Sequence, residues 1–316
     1  MTETATRTPE RVPPETIKAI PVRHPGRWVA IVVIAILVAM FVHMLMTNDA
    51  FQWGFMFDNM FRPPVIEGVR TALVVTILAM IIGVALGAVI AVMRLSPNPV
   101  LSTVSWVYTW FFRAVPRVVL LVLFGNLGIL YASYALGVPF DRQLGNLLGI
   151  DWDLRFFSLD ARTVVTGFMA GLLGLALSEA AYMAEIVRAG IQAVDPGQQE
   201  AAQACGMGRG VTLRRIVLPQ AVRVIVPPTG NETIAMLKDT SLLAFVPVTN
   251  ELFFQLQAIG ARTFRVFPML VAACLWYLAL TSVLMVGQYF LERYFSRGFG
   301  TAGRARAQAG SVGHGH

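Results

Sequence analysis

The sequence predicts an all-α fold: a polytopic transmembrane helical bundle of about six spans. Three observations predict it. Of the 316 residues, 56% are hydrophobic and only 14% are charged, whereas a soluble domain carries about a quarter charged residues. The apolar residues gather in runs long enough to cross a bilayer, which takes about 20 residues in a helix. The 25 Lys and Arg against 18 Asp and Glu give a net charge of +7, and these cations flank the apolar runs, as cytoplasmic loops do. Nucleic acid is the competing account of a basic chain. It fits badly, because the cations are scattered between apolar runs and not collected on one polar segment. The two cysteines, Cys205 and Cys274, fall in a polar stretch and an apolar span and supply no disulfide framework.

The elements follow in order. Residues 1–27 carry five cations among five prolines and read as a disordered cytoplasmic tail. Trp28 to Met46 is the first span, broken only by His43. No small-residue cleavage site follows it, so it reads as a retained anchor. A short loop with Pro63-Pro64 leads to the second span, Thr71 to Met93, which holds no charge and closes at Arg94. Its Gly83 and Gly87 have the GxxxG spacing that lets helices approach closely in lipid. Residues 95–117 are mixed, with an aromatic patch, Arg113, Pro116 and Arg117. They predict an interfacial helix with its Trp and Tyr at headgroup level. Span three is expected at about 118–137 and a polar outer loop at 138–162. Span four begins near Thr163, repeats the GxxxG spacing at Gly167 and Gly171, and continues as a helix to about Val194. Span five, about 221–247, is expected to be broken by Pro227-Pro228 and Gly230. A polar loop covers 249–265, Val266 to Phe290 forms span six, and 294–316 is a Gly- and Ala-rich disordered tail. Six crossings place both termini on one side, and the cationic flanks make that side the cytoplasm.

One cytoplasmic segment stands out. Residues 200–219 read EAAQACGMGRGVTLRRIVLP. Pro196-Gly197 is a turn signal ending the preceding helix. Gln198 to Cys205 gives about two helical turns, and Gly206 suits the left-handed position that closes a helix. Gly208 and Gly210 make an elbow, and Val211 to Leu218 forms a further short helix before Pro219. The small side chains of Ala201, Ala202 and Ala204 allow close contact with a partner.

The spacing E-A-A-x3-G-x9-I-x-L-P is filled by Glu200, Ala201, Ala202, Gly206, Ile216, Leu218 and Pro219. It resembles the EAA loop of inner-membrane permease subunits of binding-protein-dependent ABC importers. The stretches YTWFFRAVPRVVLLVLFGNLG (108–128), AYMAEIVRAGIQAVDPGQQEAA (181–202), PPTGNETIAMLKDTSLLAF (227–245) and ARTFRVFP (261–268) are similar to its polar amino-acid uptake branch. The resemblance covers 66–293, a five-span permease core with the coupling loop at 195–219. Residues 28–46 form an extra N-terminal transmembrane helix. The resemblance implies a multi-pass protein of the cell inner membrane that translocates amino acids. It implies that the loop docks into a separate ABC ATPase subunit, that an external solute-binding protein delivers substrate, and that a second permease subunit, identical or related, completes the path. Glu232 stands where the branch has Gln or another neutral residue.

The residues agree on the division of labour. A Walker A loop needs Gly-Lys followed by Ser or Thr, and the two lysines, Lys18 and Lys238, follow Ile17 and Leu237. The usual ATP-binding loop is therefore absent, and the chain is expected to be a transport subunit and not an enzyme. No cofactor or metal is expected on it; ATP and Mg belong to the partner ATPase.

Charges inside spans are costly, about 2.5–3.5 kcal/mol at a helix centre, and face a bundle interior or a water-filled path. Lys238 and Asp239 are such residues. Neighbours point about 100° apart on a helix, so direct pairing is not assumed. With Glu232 and Ser241 they suit a path for a zwitterion; equally, they suit structural pairing. Ser178, Glu179 and Tyr182 on span four are further path candidates, Glu179 and Tyr182 sharing a face. Glu185 and Arg188 have the i,i+3 spacing of a simple ion pair.

Three alternatives remain. An importer permease for opines or another small polar solute has the same signature. An ion-coupled secondary transporter would explain the buried charges but not the loop. A polytopic membrane enzyme would need HExxH or a comparable cluster for a metalloprotease, or an activating base beside Ser178 and Glu179 for a hydrolase, and the sequence offers neither.

Overall fold

The computed structural model describes residues 25–126, 133–137, 146, 149, 155–160 and 167–295. The expected tails lie outside the described residues, except that residues 25–27 and 294–295 belong to helices. Two units are present, Met1–Asp49 and Ala50–His316.

Among the described residues the first unit holds one long helix, α1 (Pro25–Thr47). Its 23 residues reach about 34 Å at 1.5 Å per residue, enough to cross the ~30 Å hydrocarbon core. It is apolar around its whole circumference, as a lipid-facing helix is.

The second unit begins with a 3₁₀ turn at Asp49–Phe51 and a short helix α2 (Trp53–Met60), within what the sequence suggests is only loop. Helix α3 (Pro63–Arg94) follows, with proline at its first positions, where a missing N–H is harmless. Its main partner is α6 (Gly167–Gln192). A Cβ on Gly83 would lie 2.8 Å from Glu179 Cγ, and one on Gly87 2.6 Å from Met183 Cβ. The GxxxG spacing thus seats α6 on α3 within one chain.

Residues 95–125 form two helices where an interfacial helix and the start of span three are expected, and the second helix is shorter than that span. Helix α4 (Pro99–Ala114) starts at an Asn98 cap, its side chain accepting from Val100 N at 2.9 Å. Helix α5 (Arg117–Gly125) then leaves at 100°. Pro116 enforces the bend: it disfavours helical geometry at Val115, which is extended, ψ 129°. Tyr108 Oη donates to Leu177 O at 2.7 Å and ties α4 to α6. The end of the expected span three is corrected. Ser133–Gly137 is a strand, β1, paired antiparallel with β2 (Arg155–Asp160). The rest of the 138–162 loop, except 146 and 149, lies outside the described residues.

After α6 come two short helices, α7 (Pro196–Ala204) and α8 (Arg209–Thr212), a π turn (Leu213–Val217) and helix α9 (Leu218–Asp239). Span five was expected to break at Pro227-Pro228, yet α9 runs through them. The prolines remove two N–H donors, those that the carbonyls of Arg223 and Val224 would otherwise meet. Thr229 Oγ1 donates to Ile225 O at 2.8 Å, and Gln288 Nε2 donates to Pro227 O at 2.7 Å. Gly230 makes room for that glutamine: a Cβ there would fall 1.6 Å from Gln288 Oε1. The helix tightens into a 3₁₀ segment at Thr240–Phe245. The polar loop 249–265 contains helix α10 (Leu252–Thr263), capped by Glu251, and α11 (Val266–Phe295) closes the unit.

Among the described residues α1, α3, α6 and α11 are long and apolar enough to span a bilayer, and the bent α4–α5 pair adds a fifth if the two helices form one broken span. Helix α9 falls below that hydropathy because Arg223, Glu232, Lys238 and Asp239 lie on it. One buried core gathers around α3, α6 and α9, with Leu175, Met183 and Met236. A second joins α2, α10 and α11 through Met56, Leu252 and Met269.

Candidate functional site

Two features carry functional chemistry. The first is an ion cluster among α5, α6 and α9. Arg117, the first residue of α5, is directed into the bundle by the Pro116 bend. Its Nη2 lies 3.0 Å from Glu179 Oε2 and 3.9 Å from Glu232 Oε2, and its Nη1 donates to Asp239 Oδ2. Its guanidinium stacks over the Tyr182 ring at 4.6 Å, with Arg113 at 5.7 Å from the same ring. The spacing explains the convergence. Glu232 and Asp239 are seven residues apart, two helical turns, and so share one face of α9; Glu179 and Tyr182, three apart, share one face of α6. Glu179 is fully buried. Its Oε1 and the neighbouring Ser178 Oγ have no hydrogen-bond partner among the described residues. Three carboxylates thus approach one guanidinium; Glu179 is buried, where unmatched charge is expensive, while Glu232 and Asp239 are partly exposed. Among the described residues no set of His, Cys, Asp and Glu is placed to hold a metal ion.

Sequence reasoning missed Arg117 by assigning it to a membrane-surface helix. The available signal was a lone cation directly after proline and directly before the apolar run VVLLVLF. Lys238 takes no part. It lines a cavity of about 460 Å³ together with Asn231, Gln288 and Glu292. Ser241 Oγ donates to Lys238 O at 2.7 Å, closing the helix end. Glu185 and Arg188 pair at 2.6 Å.

The second feature is the elbow. Helix α7 starts at Asp195, whose side chain accepts from Gly197 N at 2.8 Å. Gly206 ends it with φ 75°. Gly206 N donates to Gln203 O at 2.9 Å and Met207 N to Ala202 O at 3.0 Å, the paired bonds of a glycine-closed helix end. Glu200, Ala201, Gly206 and Pro219 are exposed, Ile216 and Leu218 half-buried, and Ala202 buried. The separate helix expected at Val211 to Leu218 is instead joined to α9. The π turn bridges them, Leu218 N donating back five residues to Leu213 O. Such a turn is one way to carry a helix into a proline without breaking it. The elbow is therefore continuous with the helix that bears Glu232 and Asp239. A cavity of about 660 Å³ lies beside it, lined in part by Gln192, Gln203 and Arg209.

A bundle of membrane-length apolar helices with an acidic cluster between them and an exposed small-residue elbow suits a membrane permease. The chain belongs to the family described as binding-protein-dependent transport system inner membrane component, which matches residues 83–297. It is 45% identical over 286 residues to the "Arginine transport system permease protein ArgU" of Corynebacterium glutamicum, covering 90% of this chain and 85% of that one. It is 34% identical to the "Probable amino-acid permease protein YxeN" of Bacillus subtilis, covering 80% of this chain and 100% of the relative. The crystal structure of "an amino acid ABC transporter with histidines" aligns with TM-score 0.60 at 30% identity, covering 77% of this chain and 98% of that one. The chain is a multi-pass amino-acid ABC importer permease, and ATP hydrolysis falls to a separate ATPase.

Proposed function

We propose that this permease imports an amino acid with a cationic side chain and that the substrate passes the Arg117 cluster. The observation that carries this reading is the excess of acid: Glu179, Glu232 and Asp239 converge on a single arginine. A positively charged side chain is the cargo that such a site stabilises, because buried charges require partners. The name of the 45% identical relative, an arginine transport permease, agrees. Ser178, Glu179, Tyr182, Glu232 and Asp239 line the path; Lys238 and Ser241 stand behind it.

The elbow, with Glu200, Ala201, Ala202, Gly206, Ile216, Leu218 and Pro219, docks on an ABC ATPase that holds ATP and Mg. Both chain termini and the elbow face the cytoplasm, an external binding protein delivers substrate, and a second permease subunit completes the path. Residues 66–293 form the importer core and 28–46 an additional anchor. Closure of the ATPases moves the elbow, and α9 transmits the motion to the carboxylates. Uptake of labelled L-arginine and L-glutamine by vesicles holding the whole importer tests the reading. Asp239→Asn should lower L-arginine uptake at least tenfold. Uptake of L-glutamine alone by the wild type would refute the cationic reading.

A further inference from the structure

We propose that Arg117 is a tethered counter-ion: its guanidinium occupies the acidic site between transport events, and the cationic side chain of the substrate displaces it. The inference rests on the cationic-substrate reading and adds a role for a residue of the chain itself.

The geometry points to exchange. Arg117 spends its donors on the site's own acids: Nη1 on Asp239, Nη2 on Glu179, and an approach of 3.9 Å to Glu232. Its flat face is taken by Tyr182 at 4.6 Å. Carboxylates met in the plane and an aromatic ring met face-on are what a free guanidinium or ammonium ion seeks. The cluster is also incompletely satisfied. Ser178 Oγ and Glu179 Oε1 are buried and unpartnered, so the site has more acceptor capacity than Arg117 uses.

Charge balance supplies the reason for such a device. Three carboxylates left together without a cation repel one another, and the fully buried Glu179 bears the cost of desolvation as well. A resident cation keeps the empty path assembled. An arriving cationic side chain restores the same balance when Arg117 withdraws, so exchange costs far less than creating either charge state afresh. A neutral side chain offers no such compensation and leaves Arg117 in place. Arg117 thereby sets selectivity and weakens substrate binding enough for release. Arg117 follows directly on the Val115–Pro116 break, where the chain bends by 100° between α4 and α5.

A competing cation lowers apparent affinity by the fraction of time the site is free. If Arg117 is withdrawn about one-tenth of the time, its removal tightens cation binding about tenfold. The test is calorimetric titration of the permease, purified together with its ATPase and without the external binding protein, using L-arginine and L-glutamine as probes. Arg117→Gln should bind L-arginine about tenfold more tightly than the wild type, with L-glutamine unchanged, and should transport L-arginine with lower KM and lower kcat. Arg117→Lys keeps the charge but not the planar fork, and should fall between the two. It decides the matter if Arg117→Gln does not assemble. Equal or weaker L-arginine binding in both variants would overturn the role of Arg117, because an arginine that held the substrate carboxylate would give that result. If no form binds or imports L-arginine, the cationic-substrate reading fails as well. Retained wild-type import with no gain in either variant sinks only the exchange.

Discussion

Replacing Gly206 separates docking from folding. Gly206 has φ 75°, and a Cβ built on it meets no atom within 4 Å. Any L-residue other than glycine therefore pays a backbone penalty of roughly 1–2 kcal/mol for the left-handed conformation and no steric penalty within the chain. Gly206→Ala and Gly206→Leu share that penalty and differ only in bulk projecting from the exposed elbow. Both should insert into the membrane and show similar thermal stability. In vesicles reconstituted with ATPase and binding protein, Gly206→Ala should retain most substrate-stimulated ATP hydrolysis, whereas Gly206→Leu should abolish it. Unchanged stimulation in Gly206→Leu would refute docking through this surface. Equal loss in the two variants would assign the effect to the backbone instead.

Gly87→Ala places a Cβ 2.6 Å from Met183 Cβ and 2.9 Å from Ala180 O; overpacking of this kind costs about 1–3 kcal/mol, measurable as a lower melting temperature in detergent. Gly83→Ala pushes on Glu179 Cγ at 2.8 Å and should reduce uptake more than it reduces ATPase co-purification. Gln288→Leu removes the side-chain bond to Pro227 O and should destabilise the chain by about 0.5–1.5 kcal/mol, with Gln288→Glu no rescue because a carboxylate cannot donate. Glu251, buried in the α9–α10 connection, accepts from Phe253 N and Phe254 N at Oε2 and from Tyr277 Oη at Oε1. Burial outweighs those bonds and pushes its carboxyl up to about 7. The folded chain then holds the proton more tightly than the unfolded one between the ordinary carboxylate pKa, about 4.3, and 7. Stability from this group is present at low pH and fades as pH rises through 7. Glu251→Gln should flatten the melting temperature over that interval; an unchanged slope would show that another group causes it.

What the sequence makes legible is local. The elbow rests on short-range spacing, and Gly206 lies where the helix-closing glycine was expected. The separation of Lys238 from Asp239 and the Glu185–Arg188 pair both follow from helical angles. The ion cluster was half legible. Glu179, Glu232 and Asp239 declare themselves as charges in apolar helices, but their common partner does not. Arg117 is 62 residues from Glu179 and 122 from Asp239, and only the fold sets such pairings. Pro227-Pro228 misled for a related reason. Proline predicts a break from backbone chemistry alone, whereas α9 runs on through it in a packing that only the fold sets, with Gln288, 61 residues onward, donating to Pro227 O. The aromatic patch and Pro116 suggested a surface helix, although the same proline turns α5 and Arg117 into the bundle.

Energy is held to enter this bundle from a separate ATPase through the elbow, and the native cysteine at its tip reports on that directly. Cys205 is free and exposed beside Gly206. A membrane-impermeant thiol reagent should leave Cys205 unlabelled in intact cells and label it in inverted vesicles stripped of ATPase. Rebinding the ATPase should then protect it. Labelling from outside intact cells, or identical labelling with and without bound ATPase, would contradict the account.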